Sequence, residues 1–136
     1  MKVFQDDFSL RTSHRNDMTN IDRQVAEIVD QSGIRDGEVT VFCPHTTGGI
    51  TINENADPDV VHDLLLTFAE LFPQNRGGYR HGEGNSDSHC KSSLVGASEH
   101  VLVQEGRLVL GTWQSLYFCE FDGPRSRRVI VQVRGN

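Results

Sequence analysis

The stretch VLVQEGRLVLGTWQSLYFCEFDGPRSRRVIVQVRGN (Val101–Asn136) decides the fold. Val101 and Val103 stand two apart, the side-chain period of a strand, and Glu105-Gly106 marks a turn. Leu108 and Leu110 then lead through Gly111-Thr-Trp-Gln114 into Leu116-Tyr-Phe118. Asp122-Gly123-Pro124 makes a second turn, after which Val129, Val131 and Val133 alternate to the end. Apolar residues at period two, interrupted by Gly and Pro turns, predict antiparallel hairpins.

Working outward, the preceding chain adds strands and two helices. Phe4, Phe8 and Leu10 lie on one side of an alternating segment over 3–11, and Arg11 to Met18 reads as a polar turn. Thr19 reads as a helix N-cap with Asp22 three residues on. Ile21, Val25, Ile28 and Val29 follow at helical spacing before Gly33, which predicts a helix over 20–31. Strands are expected at 38–42 and 50–52. Asp57-Pro58 caps a second helix whose apolar face is Val61, Leu64, Leu65, Phe68 and Leu71 or Phe72, closed by Pro73. Gln74 to Asp87 is a long polar loop, and a short helix starting near His89 follows it. The expectation is an α+β fold: a compact, mixed but largely antiparallel β-sheet sandwich of about seven strands, with two main helices and one short one.

The totals bound the rest. One domain over 1–136 is long enough to bury a core without disulfide or metal staples. A net charge of -6 argues against a general nucleic-acid binder. No run approaches the roughly 20 apolar residues of a membrane span, and the first residues lack the apolar core of a signal peptide. Cys43, Cys90 and Cys119 make an odd set with no CxxC pair, so a cytoplasmic, reduced protein is expected.

Chemistry-bearing residues gather in four places. In PHTTGG (Pro44–Gly49), threonine hydroxyls and exposed amides can bind anions while glycines let the backbone approach a ligand. In NENADPD (Asn53–Asp59), Asp57 and Asp59 are explained by the helix start, whereas Asn53 and Glu54 are not. Asp63, one turn later, either points back to a site or is solvated. In GTWQ with FDGPR, Trp113 reads as a core residue, with a stacking wall for a flat ring as the alternative, beside Gln114. Arg125 follows a tight turn and suits phosphate or carboxylate.

The fourth is HGEGNSDSHCKSS (His81–Ser93), which carries no large apolar residue. Its bland alternative is a solvated surface loop. Two features argue otherwise: paired histidines, and Lys91, one of only two lysines in a chain with eleven arginines. If Ser88 caps the short helix, the free amides after it face an anion, with Asn85, Lys91 and Ser92 alongside. A nucleotide P-loop is excluded, because Cys90 stands where a glycine must precede the lysine. His81 and His89 do not have the spacing of a helical zinc pair, but a folded loop can bring them together. His45 would then supply a third imidazole, leaving an open coordination position.

HTTGGITINENADPDV (His45–Val60), the stretch from His81 through SSLVG, and GTWQSLYFCEFDGPR (Gly111–Arg125) closely resemble the YjbQ-type family of small bacterial and archaeal proteins. The resemblance runs through nearly the whole chain. It implies a compact α+β sandwich assembled as a homotrimer, with polar motifs near subunit contacts. It also implies a secondary thiamine-phosphate synthase activity, in which an aminopyrimidine methyl diphosphate joins a thiazole phosphate and diphosphate leaves. A divalent metal, zinc or magnesium, is implied on His45, His81 and His89.

On that basis Glu54, Asp63 and Lys91 are the expected catalytic residues. Thr46, Thr47, Asn53, Asn85, Ser88, Lys91, Ser92, Trp113, Gln114 and Arg125 are expected to hold a phosphorylated substrate. A metal-dependent hydrolase and a non-enzymatic trimeric binder of metabolite or metal are the alternatives.

Overall fold

The computed structural model describes all residues from Met1 to Asn136. The elements run β1 (Lys2–Arg11), β2 (Asp17–Asn20), α1 (Asp22–Ser32), β3 (Gly37–Phe42), β4 (Gly48–Glu54), α2 (Pro58–Leu71), α3 (Ser86–Val95), β5 (Ser98–Gln104), β6 (Arg107–Leu108), β7 (Gln114–Glu120) and β8 (Ser126–Gly135). They form a five-stranded sheet ordered β1-β8-β3-β5-β6 and a three-stranded sheet ordered β2-β7-β4. Every strand pair is antiparallel. No helix is long and apolar enough to cross a membrane.

The core follows from the period-two pattern. Val129, Val131 and Val133 of β8, Val39 and Val41 of β3, and Val101 and Val103 of β5 share one face of the large sheet. Against it pack Val25, Ile28 and Val29 of α1, and Ile50, Leu116 and Phe118 of the small sheet. The other face of the small sheet buries Met18, Tyr117, Cys119 and Phe121 beneath Val61, Leu64, Leu65 and Phe68 of α2. No α2 residue is fully buried, so this helix rests on the sheet rather than entering the core. Burying Phe118 completely makes it a principal anchor, and truncating such a residue to alanine costs about 3–5 kcal/mol.

Two local expectations are corrected. Residues 17–20 form strand β2 against β7, not a polar turn and a threonine cap. Thr19 is a strand residue; Asn20 Oδ1 accepts the Asp22 amide at 2.8 Å, and the Asp22 carboxylate accepts the Leu116 amide at 2.7 Å. Strand pairing wins here because Met18 fills the space under α2. The short helix α3 begins at Ser86, three residues earlier than expected, with Asn85 as its N-cap.

Candidate functional site

Helix α3 is held by charge from its inner side. Asp87, fully buried, accepts two hydrogen bonds from the Arg15 guanidinium, each 3.0 Å. One turn on, Lys91 Nζ donates to Asp87 Oδ2 at 3.0 Å and to Asn16 Oδ1 at 3.1 Å. Burial alone would push the Asp87 carboxyl up, but Arg15 and Lys91 together hold it below the usual carboxylate range. Ser88 Oγ donates to the Phe121 carbonyl at 2.5 Å and Ser92 Oγ to the Gly48 carbonyl at 2.6 Å. The inner face of α3 is thereby stitched to the β1–β2 loop, the end of β7 and the start of β4.

This changes what Ser88, Lys91 and Ser92 do. Ser88 does not cap the helix; it sits buried in the first turn. Lys91 is not a free cation awaiting phosphate, because its charge is neutralised inside the fold. Asn85 does not cap with its side chain either: its Oδ1, the atom that would accept a helix amide, is buried without a partner, while Nδ2 donates to Asp122 Oδ2 at 2.8 Å. Arg125 reaches the same carboxylate oxygen at 3.2 Å, so Asn85 and Arg125 meet across Asp122.

The outer face of α3 differs. His81 and His89 converge, their ring centroids 5.3 Å apart and their planes nearly perpendicular at 85°. They line one cavity of about 390 Å³ with Tyr79, Ser86 and Cys90. A neighbouring cavity of about 330 Å³ shares Tyr79, His81 and Ser86 and adds Gln74 and Arg76. The Arg76 guanidinium lies 6.0 Å from the Tyr79 ring centroid and makes no ion pair. Arg76, Tyr79 and Ser86 escaped sequence reasoning because nothing in local spacing separates them from a solvated loop. The run of glycines and charges around them was the one available signal.

A second buried ion pair stands behind the HTTGG turn. Arg127 donates to both carboxylate oxygens of Glu120 and to Thr47 Oγ1, the last at 2.9 Å. Thr12 Oγ1 donates to Glu120 Oε1 at 2.7 Å. Burial would raise the Glu120 carboxyl, yet Arg127, the Asp122 amide and Thr12 hold it low. Thr47 is therefore an internal ligand of Arg127, and only Thr46 is exposed. The glycines serve packing rather than ligand approach: a Cβ on Gly49 would meet the Gly96 carbonyl oxygen at 2.6 Å, where β4 presses on α3.

The remaining candidates lie at the far end of the small sheet. Glu54 pairs with Gln114 at one end of the β4–β7 ladder, and Gly48 with Glu120 at the other. A strand of that length separates the two ends by about 20 Å. Gln114 Oε1 accepts the Gly111 amide at 2.8 Å, and Asn53 Oδ1 accepts the Glu54 amide at 2.7 Å. Asp63 is exposed beside His62, as a solvated helix acid would be. Trp113 is 62% exposed, which corrects its assignment to the core; it belongs to the loop before β7, where no sheet covers it. One chain does not bring Asn53, Glu54, Asp63, Trp113 and Gln114 to the histidines.

Nor does one chain assemble three metal ligands. No group of three His, Cys, Asp or Glu side chains could hold an ion. His81 and His89 have the imidazole donors that suit zinc, but a catalytic zinc site takes three protein ligands. His45 is engaged elsewhere: its Nε2 accepts the Arg128 amide at 2.9 Å, and its ring meets Phe118 edge-on at 6.5 Å. The three-histidine site expected from sequence does not form within a single chain.

Known proteins resemble this chain along its whole length. The description "UPF0047 protein YjbQ-like" matches residues 6–136. The UPF0047 protein YugU of Bacillus subtilis is 52% identical over 126 residues, covering 93% of this chain and 96% of its own length. The UPF0047 protein MJ1081 of Methanocaldococcus jannaschii is 43% identical, covering 95% and 93%. A crystal structure of a YjbQ/UPF0047 protein from Clostridium acetobutylicum superposes with a TM-score of 0.92 at 52% identity, covering 94% and 98%. A protein of unknown function from Sulfolobus solfataricus P2 gives 0.94 at 33%, covering 99% of each chain. The antiparallel two-sheet fold, the order of the three motifs and these likenesses agree: the chain belongs to the YjbQ-like UPF0047 family.

Proposed function

We propose that the protein is a cytoplasmic, homotrimeric enzyme acting on phosphorylated small heterocycles, with thiamine-phosphate formation as at least a side activity. The observation that carries this reading is the meeting of His81 and His89 at a cavity beside α3. Such a pair offers two imidazoles toward one divalent metal, zinc better than magnesium, and a neighbouring copy or the substrate would complete the shell. A metal there would supply positive charge to a phosphoryl oxygen. Around it this chain's own donors aim at a leaving diphosphate: Arg76, the Ser86 hydroxyl and the uncapped amides at the start of α3. Lys91 enters as the anchor of α3 rather than as a phosphate ligand. Glu54, half-buried, and Trp113, exposed, stand at the far end of the small sheet, and in a trimer they would serve a neighbouring copy's cavity rather than their own.

The test joins the aminopyrimidine methyl diphosphate to the thiazole phosphate in vitro, with wild type, His81→Ala and Glu54→Gln. Product from wild type alone supports the reading. Equal product from His81→Ala removes the histidine pair from the chemistry. Tight substrate binding with no product replaces the enzyme with a metabolite-binding protein.

A further inference from the structure

We propose that His45 is held as the neutral Nδ1–H tautomer, donates to an anionic oxygen of the ligand, and is not a metal ligand. The ligand half of this rests on the phosphorylated-substrate reading above. The tautomer half rests on strand geometry. β3 pairs with β8 as far as Phe42 opposite Ile130. Two residues further on, where the ladder would place residue 44 opposite Arg128, the chain carries a proline and turns away. The Arg128 amide on that edge has lost its strand partner, and His45 Nε2 takes its place as acceptor at 2.9 Å. A neutral imidazole has one lone pair, so that bond uses it and puts the proton on Nδ1.

Metal binding through Nδ1 would require moving that proton to Nε2, where it would face the Arg128 N–H. The ring is also fixed by its edge-on contact with Phe118, so it cannot turn without losing both partners. Burial and the nearby Arg127 charge hold the imidazole below its ordinary pKa, which keeps it neutral. Nδ1 meets no partner within the chain and is not sealed from solvent, and the next residue, Thr46, is exposed. Of the charges facing the ring, Arg127 outweighs its partner Glu120 and Arg125 adds to it, so a neutral donor there suits an oxyanion.

Long-range ¹H–¹⁵N spectra of protein labelled at its six histidines test this, with His45 assigned by its loss in His45→Gln. That variant keeps an acceptor for the Arg128 amide and so keeps the fold. The expected result is a protonated Nδ1 at His45, unmoved by zinc, which instead shifts His81 and His89. Phenyl phosphate then shifts His45, and His45→Gln weakens its binding about three- to tenfold. An Nε2–H tautomer, or a His45 signal that follows zinc, overturns the assignment. Phenyl phosphate that shifts His81 and His89 but not His45 overturns the donor role alone. If it shifts none of the three, the phosphorylated-ligand reading falls with it.

Discussion

Lys91 Nζ lies 3.0 Å from Asp87 Oδ2, one turn away on α3, and both side chains are sealed from solvent. The pair belongs to a larger device, because Arg15 closes on the same carboxylate from the β1–β2 loop. A helix with a polar, nearly featureless sequence is thereby fixed to the sheet by charge instead of by apolar packing. His81 and His89 depend on it, since His89 rides on the opposite face of the same helix.

Asp87→Asn therefore costs roughly 3–5 kcal/mol, because it strands the Lys91 ammonium in the interior. Lys91→Met costs less, since Arg15 still neutralises Asp87. The double variant costs less than the sum of the two, as expected for groups in one network. Urea denaturation reads all three. Lys91→Met that keeps full stability but loses phenyl phosphate binding would show Lys91 to be a ligand after all.

Acid tests the same anchoring. Asp87 and Glu120 both have folded-state pKa values below their unfolded ones. Their stabilisation is complete above the ordinary carboxylate range, near pH 4, and drains away as pH falls through the depressed folded values. Stability should fall slightly below about pH 6.5, where unfolding lets His45 take up a proton that its folded site disfavours, and fall steeply below about 4 as the two carboxylates protonate. Glu120→Gln is less stable at neutral pH and loses less on acidification, which urea midpoints across that range measure.

Most of the fold was readable because apolar residues at period two or 3.6 face one core. Val129, Val131 and Val133 needed only their alternation, and Asp57-Pro58 only its capping chemistry. What was not readable depends on partners distant in sequence. The four residues of β2 look like a turn until Met18 is seen beneath α2 and Asp17 opposite Glu120. Lys91 looks like a ligand until Arg15 and Asp87 are seen around it. His45 looks like a metal ligand until the Arg128 amide is found on its lone pair. The convergence of His81 and His89 was anticipated, whereas the placing of Glu54 at the end of β4 about 20 Å from Gly48, where α3 packs, was hidden by motif order alone.

Tyr79 Oη is out of solvent and has no hydrogen-bond partner. Burying an unpaired hydroxyl is unfavourable, so Tyr79→Phe should be neutral or stabilising by up to about 1 kcal/mol. Thermal denaturation checks it. A loss of more than about 1 kcal/mol would mean that the hydroxyl has a partner in solution that the fold relies on.

The histidine pair makes the last prediction. Two rings in contact at a right angle can share one ion, so either His81→Ala or His89→Ala should remove nearly all zinc binding. The double variant should then be no worse than either single one, because each ring alone is a weak ligand. Since one chain offers only two such donors, zinc affinity should also rise with protein concentration if a second copy completes the shell. Equilibrium dialysis at two protein concentrations measures both effects. Affinity independent of concentration but dependent on both histidines would assign the remaining positions to water or substrate. Zinc retained at full stoichiometry by the double variant would place the metal elsewhere, and the cavity beside α3 would lose its claim to the chemistry.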